Sequence, residues 1–147
     1  MDRRTLVRVY RLGFALLTLV AIGTVAADLV GRGEFQPANF FSFFTIQSNL
    51  IAVAVFLVGA ARGDAASRTW ELVRGASVVY MTVTLVVFAL LLAGTDVDVT
   101  LPWVDTVVHR IMPIAVIADW LIDPPDRRIS FRTSLVWLAY PLVWTGY

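Results

Sequence analysis

Apolar residues run along this chain in long blocks rather than in alternation. No charge falls in Leu12 to Ala27, in Phe35 to Ala61, in Gly75 to Thr95 or in Thr133 to Tyr147. A half-buried strand would alternate with a period of two, and a soluble surface helix would show a polar face every 3.6 residues. These blocks mostly show neither. Each is long enough, or nearly so with snorkelling arginines at its ends, to cross ~30 Å of hydrocarbon. A further segment, about 102–122, carries Asp105, His109, Arg110 and Asp119 beside the apolar stretch Ile111 to Ala118. It reads as another span, because the flanking loops keep consistent charges only if the chain crosses there. The expected fold is all-α: one polytopic transmembrane helical bundle, with five spans at about 7–28, 38–61, 73–95, 102–122 and 132–147.

Charge orients the spans. All twelve basic residues are arginine. Arg3, Arg4, Arg8 and Arg11 precede the first span, Arg62, Arg68 and Arg74 follow the second, and Arg127, Arg128 and Arg132 follow the fourth. The first loop has only Arg32, and the third carries Asp96, Asp98 and Asp105 instead. The positive-inside rule then puts the N-terminus and the second and fourth loops in the cytoplasm. Trp70, Trp103 and Trp120 fall at the expected span ends, where an aromatic belt would hold them. The expected location is the plasma membrane, multi-pass.

Composition narrows the function classes. The chain is 59% hydrophobic and 16% charged, with a mean hydropathy of +0.77. Soluble domains average about 45–50% and about 25%, so an ordinary soluble domain and a disordered chain are both excluded. Without cysteine there are no disulfides, thiolate metal sites or cysteine nucleophiles. A single histidine excludes a multi-histidine metal centre, and a net charge of +1 gives no support for nucleic-acid binding. No metal and no cofactor are expected; the expected partner is the lipid bilayer.

Polar groups inside spans are costly, which makes each a candidate site residue. Two groups qualify: Ser42, Thr45, Gln47, Ser48 and Asn49 in the second span, and Asp105, His109, Arg110 and Asp119 in the fourth. At 1.5 Å per residue from span entrances near Pro37–Phe40 and near Pro102, Thr45 lies about 8 Å deep and His109 about 10 Å. Ser42, Thr45 and Asn49 share a helical face by spacing, as do Asp105 and His109. A threonine hydroxyl needs an adjacent base to act as a nucleophile, and histidine is a suitable one. Asp105 or Arg110 would be the partner of His109. Asn49, Gln47 or Arg110 would stabilise a developing oxyanion. A site at this depth meets the ester group of a lipid-like substrate. Asp119, with Asp123 four residues on, is expected to cap, to pair with a loop arginine or to face water. Gly59, Gly75 and Gly94 read as packing or span-end positions.

The segments Phe43-Phe-Thr-Ile-Gln-Ser-Asn-Leu50 and Val108-His-Arg-Ile-Met-Pro-Ile-Ala-Val-Ile-Ala-Asp-Trp-Leu121, with Trp137-Leu-Ala-Tyr-Pro-Leu142, give the chain a family likeness. It resembles the prokaryotic six-span membrane proteins related to the eukaryotic androgen-induced proteins. Eukaryotic members are threonine hydrolases of fatty acid esters of hydroxy fatty acids. The resemblance implies Thr45 as nucleophile and His109 as base, and a sixth span beyond the five counted here. The chain departs from the eukaryotic pattern in having no further histidines around His109.

Three functions follow as expectations. The first is an intramembrane threonine-dependent hydrolase of lipid-like esters. The second is a transporter or proton-handling protein using His109, Arg110 and Asp119. The third is a non-catalytic membrane subunit, in which the serines, threonines and Asn49 only bond helix to helix.

Overall fold

Asp2 starts the first helix by accepting the Thr5 amide at 2.7 Å, and α1 runs over Arg3–Gly31. It ends where Gly33 takes φ 72°, a left-handed turn that glycine adopts without a Cβ clash. The Glu34 and Gly33 amides then close back on the Leu29 and Val30 carbonyls, the bonding of a Schellman cap. The computed structural model describes residues 2–62, 67–92, 101–125 and 129–146. Gly94, Asp96, Asp98, Arg127, Arg128 and the ends of the third and fifth expected spans lie outside them.

The remaining helices are α2 over Pro37–Ser42, α3 over Phe44–Ala61 and α4 over Arg68–Val87, which continues as a π-helical turn, Phe88–Leu92. Then come α5 over Pro102–Thr106, a second π-helical turn, Val107–Ile111, and α6 over Met112–Ile122. Last are α7 over Phe131–Trp137 and α8 over Ala139–Thr145. No strand occurs among the described residues. Three helices, Arg3–Gly31, Phe44–Ala61 and Arg68–Leu91, are long and apolar enough to cross a membrane.

Two expected spans are interrupted. The segment 38–61 is not one helix: the backbone of Phe43 is extended (φ −62°, ψ 128°), which separates α2 from α3. No proline or glycine causes this. Side chains take the place of the helical ladder: the Ser42 hydroxyl donates to the Asn39 carbonyl at 2.7 Å, Gln47 Nε2 to Phe41 O at 2.8 Å, and Trp144 Nε1 to Ser42 O at 2.7 Å. Ser42 therefore does not share a continuous helical face with Thr45 and Asn49. The segment 132–147 turns at Leu138, because Pro141 has no N–H for the Trp137 carbonyl four residues back.

Helices α1, α3, α4 and α6 form a closed ring, each packed on the next. One apolar cluster fills its middle, with Phe56, Met81 and Met112 almost fully buried. A second, around Ile22, Phe40, Ile46, Val104 and Val108, fills the end that carries α2 and α5. Leu6, Val9, Leu12, Leu16 and Val20 point away from the ring along α1 and stay exposed. Such a continuous apolar stripe suits hydrocarbon better than water.

The opposite end of the ring is closed by charge. Arg11 sits inside α1, buried, with Nε 2.7 Å from Asp119 Oδ1 and Nη2 2.6 Å from Asp123 Oδ2. Arg74, also buried, places Nη2 3.0 Å from Asp119 Oδ2 and donates to the Asp123 carbonyl at 2.7 Å. Arg11 and Arg74 are thus not loop cations but partners in a buried network joining α1, α4 and α6. Gly59 makes room for it: a Cβ there would stand 3.3 Å from both Arg11 Nη1 and the Trp70 ring.

Candidate functional site

Thr45 lies in the first turn of α3, where backbone N–H groups have no partner within the helix. The positive end of the helix dipole therefore lies beside its hydroxyl. His109 lies in the π-helical turn Val107–Ile111, four residues before Pro113. In an α-helix the residue at position 113 would donate to the His109 carbonyl, but proline has no N–H and its ring would clash with that oxygen. The turn widens instead, and the Met112 amide bonds to the Val107 carbonyl, five residues back.

These local breaks bring the two side chains together. Thr45 Oγ1 is 3.1 Å from His109 Nε2. On the other side of the ring, His109 Nδ1 lies 2.8 Å from Asp105 Oδ1 and 3.2 Å from the Asp105 carbonyl. Both neighbours of Nδ1 are acceptors, so that nitrogen carries the proton in the neutral ring. The lone pair of Nε2 is then directed at the threonine hydroxyl. All three groups are partly accessible, with side-chain exposures of 18% for His109 and 21% for Asp105.

The other expected site residues divide. Asn49 is fully buried, and its Nδ2 donates to the Thr45 carbonyl at 2.8 Å and the Val108 carbonyl at 3.0 Å. It ties the two site-bearing segments together and has no hydrogen left for an oxyanion. Gln47 lies on the far side of α3. Its Nε2 holds the Phe41 carbonyl, its Oε1 accepts from the Tyr140 hydroxyl, and it lines an apolar groove of ≈ 430 Å³ with Phe41, Tyr140 and Trp144. Arg110 is exposed, its guanidinium 5.0 Å from the centre of the Phe88 ring. Asp105 bonds to His109 and Asp28 to Arg32, so Arg110 takes neither carboxylate in these contacts. Ser48 bonds to the Thr84 hydroxyl at 2.9 Å and joins α3 to α4. Asp119 is held by Arg11 and Arg74, far from the dyad: the fourteen residues from Thr45 to Gly59 along α3 span about 21 Å.

Phe88 has no counterpart among the residues singled out by polarity. It is buried, and its ring stacks on the His109 imidazole with centroids 4.5 Å apart and planes 16° from parallel. Its only trace in the sequence is a place near the end of an apolar block. Among the described residues, no group of three or more potential metal-ligating side chains converges. Comparison with protein-family models, with curated proteins and with solved structures finds no match for this chain.

Proposed function

We propose that this chain is a five-span plasma-membrane protein, N-terminus cytoplasmic, that hydrolyses lipid-like esters with Thr45 as nucleophile and His109 as general base. The observation that carries the reading is the 3.1 Å contact between Thr45 Oγ1 and His109 Nε2, with Asp105 on the opposite ring nitrogen. This is the nucleophile–base–orienter arrangement that activates a hydroxyl. The resemblance to the bacterial relatives of the androgen-induced proteins points to the same two residues.

The reaction runs in two halves. The Thr45 proton passes to His109 Nε2 as the threonine oxygen bonds to the ester carbonyl carbon. Asp105 stabilises the imidazolium so formed. Negative charge on the carbonyl oxygen is favoured by the α3 dipole, since the Asn49 amide is occupied and Gln47 faces the groove. The ester C–O bond breaks, and the leaving alkoxide takes the proton from Nε2. Water then attacks the acyl-threonine, gives a proton to Nε2 and releases the acid, and Thr45 recovers its hydrogen.

The test is ester turnover and fluorophosphonate labelling of detergent-solubilised protein, comparing wild type with Thr45→Ala and His109→Ala. Labelling of wild type alone supports the reading; equal labelling of all three would falsify it.

A further inference from the structure

Three groups around His109 fix three different things. Asp105 fixes the tautomer and the Thr45 hydroxyl meets the lone pair, but these two contacts, at opposite nitrogens, do not fix the turn of the ring about the line joining them. Phe88 lies on the remaining direction. Its ring is nearly parallel to the imidazole at 4.5 Å, it is only 7% exposed, and it comes from the π-helical turn that continues α4, an element that supplies neither partner of the imidazole nitrogens. The Arg110 guanidinium lies over the same phenyl ring at 5.0 Å.

We infer that Phe88 is the positioning residue of this site: it sets the tilt of the His109 ring and offers its π face to the imidazolium that forms when Thr45 gives up its proton. An aromatic face carries negative charge density and attracts a cation lying over it, more strongly where water is excluded. Neutral imidazole gains little from that face and imidazolium gains more, so the contact strengthens as the reaction proceeds.

The catalytic part rests on the hydrolase reading; the geometric part does not. The two are separated by pairing a labelling rate with a spectrum of the only histidine in the chain. Full-length protein in detergent is prepared as wild type, Phe88→Leu, Phe88→Tyr and Thr45→Ala. The expected wild-type NMR spectrum has His109 ring protons shifted upfield by the phenyl ring current and the proton on Nδ1. Phe88→Leu loses the upfield shift and labels with an alkyl fluorophosphonate about five- to thirty-fold more slowly, the range of a cation–π contact. Phe88→Tyr keeps the shift and recovers the rate to within about three-fold. Wild-type ring protons without the upfield shift overturn the inference, whichever variants fold. So does a Phe88→Leu protein that labels as fast as wild type, or a Phe88→Tyr protein as slow as Phe88→Leu. If no protein labels, the hydrolase reading fails, and the spectra alone decide whether Phe88 orients His109.

Discussion

Arg11 grips Asp119 with two nitrogens, Nε to Oδ1 at 2.7 Å and Nη2 to Oδ2 at 3.1 Å, across 108 residues of chain. Arg74 reaches the same carboxylate from α4. One carboxylate thus bonds two buried guanidinium groups on different helices, and Asp123 supplies the second negative charge that balances them. Replacing Asp119 leaves two buried guanidinium groups with the half-exposed Asp123 as their shared carboxylate, and breaking a buried pair typically costs about 3–5 kcal/mol. Asp119→Asn is therefore expected to unfold at a markedly lower temperature than wild type in a detergent thermal-melt assay. Asp28→Asn is the comparison, because the Asp28–Arg32 pair is half-exposed and worth about 0–1 kcal/mol.

Asp105 bonds the nitrogen of His109 that faces away from Thr45. Asp105→Asn removes the charged acceptor and can present an amide hydrogen to Nδ1, which would move the ring proton to Nε2 and turn the base into a donor. Labelling by a fluorophosphonate is expected to fall about 10²–10⁴-fold, as for loss of general-base function. The thermal midpoint should move little, since the pair is partly solvated. An unchanged labelling rate would mean that the tautomer is held by the Asp105 carbonyl alone.

Polarity in an apolar background made Thr45 and His109 legible, because each polar group in a span calls for a partner. Depth counted along the helices placed them at similar levels, and the structure has them in contact. The face containing Ser42 was not legible in the same way. Spacing assumes an unbroken helix, and the break at Phe43 is made by Trp144, about a hundred residues later, together with Gln47. Arg11 and Arg74 read as loop cations because their partner lies at the end of a helix whose place in the ring no local pattern encodes. Phe88 was hidden most completely, since a phenylalanine in an apolar block carries no signal until the histidine beneath it is located. The wide turn at His109 did have a sequence signal, Pro113.

Gly75 packs against the six-membered ring of Trp137 so closely that a Cβ would overlap it. This contact fastens α7 to α4. Gly75→Ala is expected to lower stability by about 1–3 kcal/mol, the cost of overpacking a tight site. Gly13 has open space where its Cβ would be, so Gly13→Ala should be neutral or slightly stabilising. Thermal melts of the two variants side by side check both signs. Labelling of Thr45 should survive Gly75→Ala, because α7 supplies no group to the Thr45–His109 contact.

Pro113 is predicted to matter through His109 rather than through stability. With alanine at 113, an N–H becomes available for the His109 carbonyl, and the turn Val107–Ile111 can tighten from π-helical to α-helical spacing. Tightening removes one residue from a wide turn and rotates the side chains before it by up to roughly 100° relative to α6. His109 would then swing off Thr45 and off the Phe88 ring together, while Met112 and Ala115 stay in the core. Pro113→Ala is accordingly expected to keep or raise the thermal midpoint and yet lose fluorophosphonate labelling by 10-fold or more, the effect of displacing a base beyond hydrogen-bond reach. Its His109 ring protons should lose their upfield shift in parallel. A variant that labels normally with the shift intact would show that packing against α4, and not the proline, holds the turn open.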